Sequence, residues 1–353
     1  MKYLIFLILT FYFPSSYSET PTAQKPNWDS IDAQTKQALF YIANDDFAAL
    51  APYLETVEKS KPEIATSNSL WAALYYKITE EYRTKDFETD FDEVIKKAVA
   101  GFEDESLDKE KGDIYKAKRL QFLGSAYGYR GMYRTLKGLW GSAFLDGKRA
   151  CGVLETSLEL DPALTDNKAG IGTYLYWRSA KSGFVKYLLF WGDRKKDGIN
   201  NIKLAIESAK IIKQWAQGGL VRIYIEEKNG PSAIEYADKI LAEVPNDTGT
   251  IRRKAFVLEK QKKLDQAIVY YQKMLPIYKK NDGIKLMGKE LNTANAQIEC
   301  IYEILRLNKT LEGKAITEDI KKAYMAEVKD KLSKRTTSSY VDIDYLIKEV
   351  EKF

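Results

Sequence analysis

One pattern of small and large apolar residues recurs along the middle of this chain, and it constrains the fold more than any other feature. The small residue Ala233 is matched by Ala267, 34 residues further on, and by Ala150 upstream. The pattern ends at Pro162 in the upstream copy and at Pro245 in the next. Proline cannot continue the hydrogen-bond ladder of a helix, so a helix should end at each. A repeat of this length predicts stacked helix pairs, because one pair cannot bury its apolar face alone.

We call the alignment of these positions between copies the register of the repeat, and it predicts three repeats, at 131–164, 214–247 and 248–281. A fourth begins at 165 with a stretch that includes Gly172, and its second helix is expected only at 198–213. In the same register Gly138 takes the position of a small residue on a first helix, as Val221 and Ala255 do in the later copies. The interruption between the two helices of the fourth unit marks an insertion at 179–198.

Helical periodicity continues on both sides of the repeats, although their spacing is lost there. The expected helices are 30–43, 46–59, 69–82, 90–102 and 112–133 before the repeats, and 284–307, 317–333 and 340–352 after them. Terminal units of a repeat array usually differ from the inner ones, because their outer face meets water. The whole chain after Trp28 is therefore predicted to be helical.

Each unit thus has a small residue on its first helix, an alanine on its second and, in two copies, a closing proline. This pattern resembles the tetratricopeptide repeat, and the chain resembles an exported bacterial protein of that kind. The resemblance implies an all-α fold, an α-solenoid wound as a right-handed superhelix of helix-turn-helix repeats. The chain would then divide into a signal peptide (1–18), an extended lead-in (19–29), N-terminal helical pairs (30–130), repeats with the insertion (131–281) and C-terminal capping helices (282–353).

The insertion is rich in aromatic residues. Its segment Phe190-Trp191-Gly192-Asp193-Arg194, followed by Gly198-Ile199, resembles an element of the tetratricopeptide-39/inclusion-body-clearance family. That resemblance implies no catalytic residue. The candidates for contact with a membrane or a partner are Phe184, Tyr187, Leu188, Phe190 and Trp191. Such a segment suits either a membrane surface or a core that folds back across the solenoid.

The N-terminus predicts export. Lys2 precedes an apolar run from Tyr3 to Phe13, and small residues follow at Ser16 and Ser18. This arrangement is typical of a signal peptide cleaved after Ser18, and the run is short for a membrane-spanning helix. We expect a periplasmic protein, with secretion or an uncleaved anchor as the alternatives.

The chain contains no histidine, which excludes Ser-His-Asp and Cys-His catalysis and imidazole metal sites. We therefore expect no enzyme activity, cofactor or metal. Cys151 and Cys300 are expected as small core residues, and a disulfide between them would need an oxidising compartment. Adjacent acids are expected on solvated faces, not as a glycosidase pair: Glu80-Glu81, Asp104-Glu105 and Glu226-Glu227.

Three glycines, Gly124, Gly128 and Gly131, follow one another at helical spacing. They do not fit a nucleotide-binding GxGxxG loop, and no predicted strand precedes them. Their spacing predicts one helix face that packs closely against a neighbouring helix.

The first helix of each tetratricopeptide pair lines the concave face, so the resemblance implies a set of partner-binding residues there. The candidates are Met132, Leu139, Thr173, Tyr176, Trp177, Trp215, Arg222, Arg252, Phe256 and Glu259. Aromatic and arginine residues of this kind are typical of protein interfaces. The alternative for Trp177 and Trp215 is packing beneath the insertion.

The net charge of +5 is spread among 55 basic and 50 acidic residues. A nucleic-acid interface needs a clustered basic face, so no nucleic-acid partner is expected. We expect an exported scaffold or adaptor that binds a partner protein or peptide, of unknown oligomeric state. The alternatives are a peripheral envelope-membrane assembly or clearance factor that uses 184–191 and, less favoured, an enzyme with carboxylate chemistry.

Overall fold

The computed structural model describes residues 27–59, 64–106, 108–181, 192–312, 318–335, 339 and 341–352. The expected signal peptide and most of the lead-in lie outside these residues. The described helices are α1 Trp28–Ala43, α2 Phe47–Lys59, α3 Ile64–Glu81, α4 Glu88–Glu103, α5 Asp108–Lys111, α6 Asp113–Leu136, α7 Trp140–Leu160, α8 Asn167–Lys181, α9 Lys195–Ser208, α10 Lys213–Glu226, α11 Gly230–Glu243, α12 Thr248–Lys260, α13 Leu264–Asn281, α14 Ala294–Glu312, α15 Glu318–Leu332 and α16 Ile343–Glu351.

Consecutive helices of the repeats pack in pairs: α6 with α7, α8 with α9, α10 with α11 and α12 with α13. α7 ends before Pro162 and α11 ends before Pro245, as the closing prolines predict. The predicted class, an all-α helical-repeat solenoid, is confirmed.

Four of the turns within helix pairs share one geometry. Their central residue has a positive φ: Asp45 (52°), Gly138 (73°), Lys228 (56°) and Lys262 (63°). Around Gly138, the Leu139 amide donates to the carbonyl of Arg134 at 2.9 Å, and the Gly138 amide donates to that of Thr135 at 3.0 Å. These paired bonds are a Schellman motif, which satisfies the last carbonyls of a helix.

The prediction that Gly138 is a small residue on the first helix of a pair is therefore wrong. Gly138 lies in the turn between α6 and α7 and is not a packing residue on a first helix. A left-handed backbone position favours glycine because glycine has no Cβ to clash. The first helix of this unit is α6, which begins at Asp113 and carries its own glycines.

Close helix packing occurs at two of the three glycines of α6. A Cβ on Gly124 would lie 2.4 Å from the Leu154 side chain, and one on Gly131 would lie 3.3 Å from the Ala143 carbonyl oxygen. Both neighbours belong to α7, so the packing prediction is confirmed at these glycines. Gly128 differs, because a Cβ there would meet nothing within 4 Å.

Helix α3 is buried on all sides. Every described residue from Ser69 to Thr79 is buried, and the largest core cluster joins residues of α3 to residues of α12, α13 and α14. In a simple solenoid each unit touches only its sequence neighbours. Here the N-terminal helices also pack against the last repeats, so the array closes on itself.

The C-terminal part differs from the sequence prediction in one place. Residues 284–293 were expected to be helical, but Lys285–Leu286 (β1) pairs with Lys289–Glu290 (β2) as a short antiparallel hairpin. Met287 and Gly288 at its turn have φ values of 48° and 82°. Two successive positive φ angles form the turn that suits a two-residue hairpin. Helix α14 therefore begins after the hairpin, at Ala294.

Candidate partner-binding surfaces

Arg222, expected to line a partner groove, pairs instead with the C-terminal end of α3. Its guanidinium makes two parallel hydrogen bonds to the Glu80 carboxylate, one of them 2.6 Å long between Nη2 and Oε2. Arg253 approaches Glu80 at 3.4 Å and Glu81 at 2.8 Å. Burial opposes the ionisation of Glu80, but Arg222 and Arg253 outweigh it and hold its pKa well below the usual range.

The expectation that Glu80 and Glu81 are solvated is wrong. Their side chains are only 13% and 6% exposed, because the end of α3 packs against α10 and α12. The other adjacent acids behave as expected where they are described. Glu226 and Glu227 are exposed and pair with Lys181 and Lys195.

Arg252 is also held within the chain. Its Nη2 donates to the Tyr278 hydroxyl at 2.6 Å and to the carbonyl of Glu81 at 2.9 Å. Glu299 of α14 accepts from Arg83 at 2.8 Å and lies 3.4 Å from Arg252. The end of α3 is thus fixed to α12, α13 and α14 by charged and polar contacts.

A second buried charge cluster joins the α1–α2 turn to the turn before α12. Lys77 of α3 lies 3.0 Å from Asp45 and 2.8 Å from Asp247. Asp45 also accepts from the Thr248 amide at 2.9 Å and from the Tyr82 hydroxyl at 2.8 Å. Burial opposes the charge on Lys77, but Asp247 and Asp45 outweigh it and raise the pKa of Lys77. This cluster therefore holds the first helix pair against the repeats.

The aromatic candidates lie mostly inside the molecule. Tyr176 is fully buried, and its hydroxyl donates to Glu227 at 2.6 Å, so it cannot contact a partner in this conformation. Trp177 stands perpendicular to Tyr176, with ring centroids 5.1 Å apart. Trp215 packs edge-on against Tyr129 at 5.7 Å and belongs to the partly buried shell of the core.

The remaining candidates separate into enclosed and exposed residues. Met132 packs partly buried against the core, and the Thr173 hydroxyl donates to the carbonyl of Ala169 at 2.8 Å. Glu259 makes two hydrogen bonds to Arg306 of α14, at 3.1 and 2.8 Å. Leu139 and Phe256 are exposed, at 49% and 39%. The predicted residues therefore do not form one continuous face.

The start of α7 carries three exposed large apolar side chains, of which the sequence pattern predicted only Leu139 as a candidate contact. Leu139, Trp140 and Leu145 are 49%, 63% and 53% exposed. We call these residues the α7 patch. Lys148 and Arg149, further along the same helix, are also exposed. The sequence signal was present as three large apolar residues within seven positions, but the register assigned this stretch to the end of a first helix.

The candidates of the insertion, Phe184, Tyr187, Leu188, Phe190 and Trp191, lie outside the described residues. The described residues that flank the insertion are in contact, since the Arg194 amide donates a hydrogen bond to the Ser179 hydroxyl at 2.9 Å. Gly172 of α8 and Gly198 of α9 also lie in close contact, since a Cβ on Gly172 would be 2.5 Å from the Gly198 carbonyl oxygen. The insertion therefore leaves the pair α8–α9 tightly closed.

Both cysteines are buried with free thiols, as expected for core residues. The Cys151 thiol contacts Glu155 at 3.5 Å, and the Cys300 thiol donates to the carbonyl of Tyr271 at 2.9 Å. Across the described ranges, no group of three or more Cys, Asp or Glu residues is placed to hold a metal ion. Within the same part of the chain, no helix is long and apolar enough to cross a membrane.

The paired helices, their shared turns and their close glycine contacts define an all-α helical-repeat protein of tetratricopeptide-like fold. Among solved structures, the chain is similar to a human IFIT1 dimer with PPP-AAAA, at a TM-score of 0.45 and 16% identity over 87% of this chain and 69% of that one. It is also similar to a monomeric IFIT1 mutant with Gppp-AAAA, at 0.42 and 17% over 87% and 68%.

These similarities are too distant to support an argument about function. No protein-family profile matches the chain, and no curated protein matches it. The fold therefore rests on the helices and turns of this chain itself.

Proposed function

We propose that this protein is an exported scaffold that binds a partner protein, and that the α7 patch is part of its binding surface. The observation that carries the proposal is the exposure of Leu139, Trp140 and Leu145 at 49%, 63% and 53%. Single exposed apolar residues are normal on a surface, and we propose that these three, which lie within seven positions, act together as a contact site. Tryptophan is also enriched among the residues that dominate binding energy.

The internal contacts of α3 support this choice of surface. They occupy Arg222 and Arg252, which the tetratricopeptide resemblance implied as partner contacts. They also fix the repeats against the N-terminal helices, so that a partner would meet a preorganised surface. Preorganisation lowers the entropic cost of binding, which suits a scaffold. Leu139 and Phe256 remain candidate contacts because both are exposed.

Site-specific photo-crosslinking tests the proposal. A benzophenone side chain in place of Trp140 should crosslink one defined partner from the native envelope, and the same group in place of the exposed Lys203 on α9 serves as the matched control. Trp140→Ser should reduce capture of that partner without lowering the melting temperature, because Trp140 is mostly exposed. Identical crosslinks from both positions would contradict the proposal.

Export is tested separately. The N-terminal peptide of the protein isolated from its source should begin at Glu19, and the protein should fractionate with the periplasm. If the isolated protein still contains residues 1–18, the signal is not cleaved and acts as an anchor. If the protein is recovered from the cytosol, the proposal of export is wrong.

A second candidate function is peripheral membrane binding through 184–191. It rests on the apolar and aromatic composition of that segment, which is typical of a membrane-surface element. Liposome flotation distinguishes it from the scaffold: the mature chain should float, and Leu188→Glu should remain in solution. Equal behaviour of the two proteins would eliminate the membrane function and leave the scaffold untouched.

A further inference from the structure

A groove lies between α6 and α7 beside the exposed residues of the α7 patch. It is a shallow depression, wide open to solvent, and it is lined by Tyr127, Leu145, Lys148, Arg149, Gly152 and Val153. A Cβ on Gly152 would meet nothing within 4 Å, so the groove is open at that position. Its lining combines apolar surface with two cationic side chains, and we call it the α6–α7 groove.

The positive charge beside this groove is organised by one buried carboxylate. Asp146 has a fully buried side chain and receives two hydrogen bonds from Arg130, at 2.8 and 3.0 Å. Arg134 donates to the same carboxylate at 2.6 Å, and Arg149 lies 3.8 Å from it. Three guanidinium groups thus face a single acid, which leaves an excess of positive charge.

Part of that excess points into solvent. The Arg149 side chain is 58% exposed, and its distance to Asp146 is too long for a hydrogen bond. The Arg134 side chain is 32% exposed and uses only Nη1 for Asp146. A guanidinium carries five N–H donors, so donors of both side chains remain for a carboxylate. Two acids oppose this charge: Glu103, which accepts a hydrogen bond from the Tyr127 hydroxyl, and the exposed Glu155, one turn beyond Gly152 on α7.

Resting on the proposed scaffold function, we infer that the α6–α7 groove binds an acidic peptide segment of the partner, with a large apolar side chain next to its carboxylate. The apolar side chain would cover Leu145 and Val153, and the carboxylate would pair with Arg149. The partner's acid would lie away from Glu103, which fixes the direction of the peptide. Charge complementarity selects an acidic partner.

A peptide fits this groove better than a nucleic acid does. Single-stranded nucleic acids need a continuous basic track and aromatic faces on which bases stack. Tyr127 is buried, and its ring is covered by Arg130, whose guanidinium carbon lies 4.9 Å from the ring centroid. The exposed cations that line the groove, Lys148 and Arg149, are confined to one short stretch of α7.

Fluorescence anisotropy with the full mature chain tests the inference. The probe is a labelled peptide that alternates Asp or Glu with Leu or Phe, and the controls replace either the acids by Asn and Gln or the apolar residues by Ser. Both controls should bind about tenfold more weakly, since a charged hydrogen bond and a buried apolar side chain each contribute at least this much.

Protein variants locate the site. Arg149→Gln and Leu145→Ser should each weaken binding of the acidic probe about tenfold, whereas Lys203→Gln on α9 should not. Both changed side chains are more than half exposed, so the melting temperature should be unaffected. Binding weakened equally by Lys203→Gln, or an oligonucleotide that binds as well as the peptide and ignores Leu145→Ser, would overturn the inference.

The outcome also separates this inference from the proposed function. If crosslinking at Trp140 captures a partner while the acidic probe fails to bind, the scaffold stands and the acidic peptide is excluded. If the probe binds and Arg149→Gln weakens it while no partner crosslinks at Trp140, the groove stands and Trp140 is excluded as a partner contact.

Discussion

At the residue scale, the end of α3 carries the contacts on which the closed arrangement depends. Glu80 meets Arg222, 142 positions later in the chain, and Arg83 meets Glu299, 216 positions later. Both acids are largely buried, so their charges require these partners. Arg222 therefore has a structural role in this conformation.

Arg222→Ala should lower the free energy of unfolding by about 3 kcal/mol, because it leaves the largely buried Glu80 with the longer contact to Arg253 and a neutral hydrogen bond from Tyr76. Urea denaturation followed by circular dichroism measures the change. Lys239→Ala is the control, since Lys239 forms an exposed i,i+4 pair with Glu235 and should leave the transition where it is. Equal transitions for the two variants would show that the Glu80 contact contributes nothing.

At the element scale, the pair α8–α9 depends on contact between glycines. Gly172 approaches the backbone of Gly198 so closely that no Cβ fits, and Ile202 closes the same site. Glycine is costly within a helix, so its presence on both faces reflects the short distance between the helices. This contact keeps the fourth repeat intact on either side of its insertion.

Gly172→Ala should lower the free energy of unfolding by about 2 kcal/mol, because the new Cβ overlaps a backbone carbonyl that cannot rotate away. Gly218→Ala on α10 is the matched control. A Cβ there meets nothing within 4 Å, so alanine should stabilise that helix by roughly 0.5–1 kcal/mol. Opposite signs for the two substitutions are expected in urea denaturation, and equal signs would contradict the packing at Gly172.

At the scale of the whole molecule, buried acids bind the N-terminal helices to the last repeats. Glu80, Asp247 and Glu299 are each buried, yet facing cations outweigh the burial and hold their pKa values below the usual range. A carboxylate with a lowered pKa in the folded state stabilises the protein above its unfolded pKa. That stabilisation is lost as the pH falls.

The contribution of these three acids to the free energy of unfolding should therefore decrease as the pH is lowered below about 4.5, the ordinary pKa of a glutamate, whereas Asp45, whose pKa is raised by burial, contributes with the opposite sign. Glu80→Gln cannot ionise at this position, so its stability should fall less steeply than that of the unchanged protein between about pH 5 and pH 3. The difference should persist in about 0.5 M salt, since buried pairs are poorly screened. Parallel pH profiles would show that Glu80 is not paired in the folded state.

The sequence predicted the local structure well, for physical reasons that particular residues illustrate. Pro162, Pro245 and the glycines of α6 act through their own helices and neighbours, so their spacing carries the information. The closure of α3 on α12 has no such local signal, because its partners are far apart in sequence. One clue was available: the run from Leu70 to Tyr76 is apolar on every face of a helix, which is typical of a fully enclosed helix.

The same long separation explains why the partner surface was misplaced. The tetratricopeptide phase placed Arg222 and Arg252 on the first helices of their pairs, on which they lie. The repeat pattern carries no information about α3, a helix of the same chain whose end contacts both arginines. Trp140, Leu145 and Arg149 were not predicted because the sequence pattern placed Gly138 on a first helix, where the structure has the turn that precedes α7.

The closure of α3 also has a consequence for biosynthesis. A nascent chain makes Glu80 and Lys77 long before it makes Arg222, Asp247 or Glu299, so the first third of the protein completes its fold only when the last repeats have been synthesised. Contacts so distant in sequence form slowly. An open array can keep its early repeats folded when its end is lost, but a truncated copy of this chain would leave Lys77, Glu80 and the apolar faces of α3 exposed to solvent.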